Sequence, residues 1–162
     1  MTIYKMPPIK MTAKILIPYS IAIPMSAFIA LAAFGKIVYP SLAFPILDRW
    51  VGGAEALLLV PILLFCKKWW MWSTMSQMFA FYTGYTLFWL KNGMPCGCMG
   101  SSMLIPTSLS FSIDALFFFF SLYAAQFLYV SRKGTYVTIL LGMIVAFVGY
   151  GFAEWLLIHR GL

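Results

Sequence analysis

Residues Ile15 to Gly35 read ILIPYSIAIPMSAFIALAAFG, a run of 21 positions without one charged side chain. About 20 predominantly apolar residues in helical form cross the roughly 30 Å hydrocarbon core of a bilayer, so the run reads as a membrane helix. Pro18 and Pro24 are tolerated there if neighbouring groups satisfy the carbonyls they free. The run exceeds the apolar region of a usual secretory leader and has no clear small-x-small cleavage site before Lys36. It is therefore expected to be a retained span, not a cleaved signal peptide. Ala22, Ser26 and Ala30 stand four apart and form a small-residue stripe suited to close helix contact.

The rest of the chain has the same character. Of 162 residues, 63% are hydrophobic and 9% charged, whereas a soluble domain carries roughly 25% charged side chains. Such a chain cannot cover itself with a polar surface, so the bilayer is the expected solvent and lipid the expected neighbour. Backbone groups must pair internally in lipid, which leaves helices or a closed barrel. The apolar runs are long and do not alternate, which selects helices. The fold class read from the sequence is an all-α integral membrane protein, a single bundle of about five transmembrane helices. The spans are placed at about 15–35, 50–66, 69–90, 111–130 and 135–155, with the longest break, 91–110, as a loop. Trp69, Trp70 and Trp72 read as an interfacial belt. The net charge of +7 does not point to nucleic acid, because most basic residues flank the apolar runs.

Charge placement also gives an orientation. Five spans put the termini on opposite faces. Lys5, Lys10, Lys14, Lys67, Lys68, Arg132 and Lys133 fall on one face, and Lys36, Arg49, Lys91 and Arg160 on the other, diluted by Asp48. The more basic face is expected to be cytoplasmic. In a bacterial cytoplasmic (inner) membrane this places the N-terminus inside, and the C-terminus and the 91–110 loop outside.

That loop holds Cys96 and Cys98 in the sequence KNGMPCGCMGSSM, Lys91 to Met103. An outward compartment tends to oxidise thiols. A turn at Gly97 can bring the two alpha carbons within the roughly 4.4–6.8 Å that a disulfide needs. So short a ring removes little unfolded-state entropy, and strained, exposed disulfides are the labile ones. The pair reads as an electron-exchanging Cys-Gly-Cys couple. A turn-locking disulfide, or two inert thiols, is the structural alternative. A third reading is a soft Cu(I) site made by Met94, Cys96, Cys98, Met99 and Met103. Zinc fits less well, since the sole histidine, His159, stands at the far end of the chain. Cys66, beside Lys67 and Lys68, reads as a small apolar residue.

The order of these features resembles the MauE/DoxX-like family of redox-associated membrane proteins. The matching features are a first helix ending in Gly35-Lys36 and a second with an early acid in Gly52-Gly53-Ala54-Glu55. An uncharged third helix follows, and then Pro95-Cys96-Gly97-Cys98-Met99-Gly100 precedes the fourth. The Cys-Gly-Cys-x-Gly element is similar to the family's CGCFG, with Met99 in place of Phe, and the resemblance covers roughly residues 14 to 130. The fifth span departs from the four expected of the simplest members. The resemblance implies disulfide formation or transfer of reducing equivalents between the membrane and an outward-facing partner, such as a thioredoxin-like or disulfide-rich protein. It also implies a link to quinone chemistry.

Ionisable residues inside spans are functional candidates by default. Glu55 is expected to pair with Lys36, Arg49 or Lys91, or to relay a proton when a thiol is oxidised. Asp48 falls on its helix face if the helix begins that early. Asp114 falls in the first turn of the fourth span, where a helix N-terminus favours an acid and Ser110 or Ser112 can cap it. The loop could also fold it towards the thiols, which makes it a second relay candidate. Glu154 is expected to pair with Arg160 or His159. Phe117 to Phe120 point all round a helix, so some must face lipid, and a quinone or pigment pocket is the richer reading of them. The competing class of function is a non-catalytic subunit of a larger membrane complex.

Overall fold

The computed structural model describes residues 8–40, 45–94, 105–128 and 132–159. Five helices account for almost all of them: α1 Pro8–Val38, α2 Pro45–Phe65, α3 Trp69–Lys91, α4 Thr107–Leu128 and α5 Arg132–His159. There is no strand among the described residues. Each helix coincides with one of the five apolar runs, extended at its ends by polar residues whose backbone continues the hydrogen-bonded ladder.

Two of the extensions matter for chemistry. α2 starts at Pro45, earlier than Trp50, because proline is pre-organised for the first helical position, and Asp48 then occupies its first turn. α4 starts at Thr107, so Asp114 lies in the second turn and no acid stands in the first. This corrects the expectation that Asp114 is a helix-start residue and that Ser110 or Ser112 caps the helix. Ser110 is buried inside the helix, and the Ser112 hydroxyl donates to the Ser108 carbonyl at 2.8 Å.

α3 lies between α4 and α5, and α1 pairs with α2 and touches α4 more sparsely. The α3–α5 seam depends on glycine. A methyl group added to Gly84 would overlap the Ala146 carbonyl, and one added to Gly149 would overlap the Phe81 carbonyl. Gly142 faces the Phe118 ring and Ala80. The small face of α5 is therefore used inside the bundle, where close backbone approach increases dispersion contact. The core joins Ala22, Met25 and Ile29 of α1 to Ile62 of α2, Met75 and Phe79 of α3, and Phe117 of α4.

Cys66 behaves as the small apolar residue expected of it, buried with a free thiol. Trp69 and Trp70 are exposed, but Trp72 is not part of a belt. It is buried in the core, and its indole N–H donates to the Cys66 carbonyl. In the Phe run, Phe117 is buried against Phe28 and Phe79, while Phe119 and Phe120 are exposed.

The outer surface is apolar, with Phe147 82% and Leu57 76% exposed. Among the described residues, three segments are long and apolar enough to cross a membrane: Leu16–Val38, Thr107–Gln126 and Tyr136–His159. α2 includes Asp48, Arg49 and Glu55. α3 is rich in Trp, Tyr, Ser and Thr, and ten of its residues are buried by its neighbours. A helix enclosed on several sides does not need an apolar surface all round.

Candidate functional site

Lys36 stands in the last turn of α1, and Glu55 lies on α2 where Gly52 lets the two helices meet. A methyl group on Gly52 would come within 2.9 Å of the Ala33 carbonyl. That approach brings the Lys36 ammonium to 2.5 Å from Glu55 Oε1, with the two side chains only 7% and 5% exposed. Of the three partners expected for Glu55, the structure selects Lys36; Arg49 and Lys91 are exposed.

Tyr82 of α3 completes the arrangement. Its hydroxyl donates to the same Glu55 oxygen at 2.6 Å, and the Lys36 ammonium lies 5.4 Å from its ring centroid. Such a contact adds a cation–π attraction, stronger when desolvated. Glu55 Oε2 is buried and has no hydrogen-bond partner among the described residues. Asp114 of α4 is buried in the same region, beside Thr86 of α3. Lys36, Glu55, Tyr82, Ser110 and Asp114 are the polar lining of one small cavity of about 30 Å³, and Phe28, Ile29, Ala32 and Met78 are its apolar lining.

Four helices thus deliver one polar group or more to a single point. At 1.5 Å per helical residue, Glu55, Tyr82 and Asp114 lie about 10–15 Å inside the helix ends that face the α3–α4 connection. Both ends of that connection are fixed. α3 stops where Gly93 adopts a φ of +66°, a left-handed conformation that favours glycine, with the Met94 N–H bonded back to the Trp89 carbonyl at 3.0 Å. The Thr107 hydroxyl then donates to the Met94 carbonyl at 2.9 Å.

Cys96, Cys98, Met99 and Met103 lie outside the described residues. Met94, the remaining member of the expected copper set, packs with Phe88, Trp89 and Ala153. No group of three or more His, Cys, Asp or Glu side chains suited to a metal occurs among the described residues. The cavity takes about one water molecule and is far smaller than the roughly 300–1,000 Å³ of a cofactor pocket, so a quinone ring does not fit in it as it stands. Glu154 is exposed and makes no ion pair with His159, whose ring nitrogen instead meets the Trp155 carbonyl at 2.8 Å; Arg160 lies outside the described residues.

The sequence reading missed Tyr82 and Thr86 as members of the site. A signal for them existed. Met75, Phe79, Tyr82, Thr86 and Trp89 recur at helical spacing on one face of α3, and Ser110, Asp114, Phe117 and Ser121 do so on α4. Polar groups placed within an otherwise apolar stripe mark a face turned inward.

No known protein family model matches the chain, and neither a curated protein nor a solved structure proves similar to it.

Proposed function

We propose that this chain is a five-span membrane protein that exchanges electrons with an outward-facing partner through Cys96 and Cys98, with Glu55 and Asp114 carrying the accompanying proton. The observation that carries the proposal is the pair of carboxyl groups, with Lys36 and Tyr82, buried about 10–15 Å below the helix ends that the α3–α4 connection joins. Burying charge in a helical bundle is costly, and a purely structural anchor would need only one ion pair.

Packing supports the five-span reading. α3 lies along both α4 and α5, and α2 lies along α1, which favours their crossing the same layer as their neighbours. Five crossings with the basic excess on the N-terminal side put the N-terminus in the cytoplasm and the thiols outside. The chemistry is thiol–disulfide exchange. A thiolate of a reduced partner attacks one sulfur of the Cys96–Cys98 disulfide, and the second partner thiolate resolves the mixed disulfide. Two electrons pass to this chain, the partner leaves oxidised, and the released cysteine thiolates take up two protons. A partner of thioredoxin-like or disulfide-rich type meets these requirements.

The test is exchange between the detergent-solubilised protein and a reduced thioredoxin-like probe, read by thiol alkylation and gel shift. Cys96→Ser and Cys98→Ser should each abolish exchange. Exchange that survives both substitutions removes the redox proposal and leaves the non-catalytic subunit as the better reading.

A further inference from the structure

The polar cavity has a charge and hydrogen-bond deficit that its own residues do not fill. Lys36 balances one carboxylate, but two carboxyl groups face the space. Glu55 Oε1 accepts from both Lys36 and Tyr82, while Oε2 of the same group is buried and has no donor among the described residues. The Thr86 hydroxyl, close to Asp114, donates to the Tyr82 carbonyl at 2.8 Å. The space itself has the volume of about one water molecule and a polar lining able to give it two or more partners.

We propose that this cavity is a binding site for one water molecule and one exchangeable proton, shared between Asp114 and Glu55 Oε2. The groups facing the proton are Lys36 from α1, Glu55 from α2, Tyr82 and Thr86 from α3, and Ser110 beside Asp114 on α4; α5 contributes no residue to the lining. The proton cancels the one negative charge that Lys36 leaves over. Protonation moves no electrons: Asp114 gains a proton and Lys36 keeps its own. This inference deepens the relay reading of the same residues, but it makes no use of the thiols.

Infrared difference spectroscopy between acidic and alkaline buffers tests it, using the full chain in lipid nanodiscs. The expected result is a protonated-carboxyl stretch that shifts in heavy water, is lost in Asp114→Asn, and is retained in the Cys96→Ser, Cys98→Ser double variant. Heavy-carbon labelling of the aspartate side-chain carboxyls in unmutated protein should shift the same band, which keeps the test valid if Asp114→Asn fails to fold. A sodium ion would supply the missing charge equally well. In that case the band is absent, and melting rises with sodium chloride but not with choline chloride at equal ionic strength. Either the absence of the band or its persistence unchanged in Asp114→Asn overturns the proposal. Loss of thiol exchange with the band intact leaves the proton site standing.

Discussion

Replacing Lys36 with Met removes one partner of a buried ion pair while keeping most of the side-chain volume. The structure sets the size of the effect. Both side chains are almost fully covered, so Glu55 cannot turn to bulk water, and breaking a buried pair of this kind costs about 3–5 kcal/mol. The Tyr82 hydroxyl continues to donate to Glu55 Oε1, which places the expected loss at the lower end, about 3 kcal/mol. For a chain of this length, that corresponds to a fall in Tm of roughly 6–12 °C. The six tryptophans give a fluorescence readout of thermal unfolding in mild detergent. The decisive comparison is the Lys36→Met, Glu55→Gln double variant, which removes both charges and should recover to within about 1 kcal/mol of the parent, since a buried pair is worth little against neutral side chains of similar volume. A single variant that melts within about 1 kcal/mol of the parent, or a double variant as unstable as the sum of the singles, would falsify the claim that this pair is buried and coupled.

Two further substitutions probe the scaffold. Tyr82→Phe deletes only the hydroxyl that bonds Glu55 and should lower stability by about 1.5–3 kcal/mol in the same assay, as expected for a hydrogen bond to a charged acceptor; no change in Tm would remove Tyr82 from the site. Gly84→Ala sets a methyl group against the Ala146 carbonyl and should cost at least about 1–3 kcal/mol through overpacking, whereas Gly151→Ala, which meets open space, should be neutral or gain up to about 1 kcal/mol from helix propensity. Equal effects at the two glycines would contradict the close α3–α5 seam.

The five helices were legible because charged and proline-containing breaks bound each apolar run, and the helical period does not depend on which side of a run faces inward. The site was only partly legible. Glu55 declared itself as an acid within an apolar segment, and Lys36 was among its expected partners, but choosing Lys36 over Arg49 or Lys91 needed the helix approach that Gly52 allows. Asp114 looked like a helix-start residue because Lys91 to Ser110 read as one polar break. Thr107 in fact opens the helix, and a shift of four residues moves Asp114 from an exposed first turn to a buried second one. Tyr82 was hidden for a different reason: tyrosine among so many aromatics reads as packing, and only the direction of its hydroxyl shows otherwise.

Lys36 and Glu55 belong to neighbouring helices of a single hairpin and stand 19 positions apart in the sequence. A chain made from its N-terminus has both of them before Tyr82 or Asp114 exists. The hairpin can then close with these two side chains already paired, so neither Lys36 nor Glu55 has to be buried without its counter-charge. α3 and α4 arrive later and add a hydroxyl and a carboxyl to a neutral pair. The order of synthesis is thus also an order in which each new helix meets a partner whose charge is already satisfied.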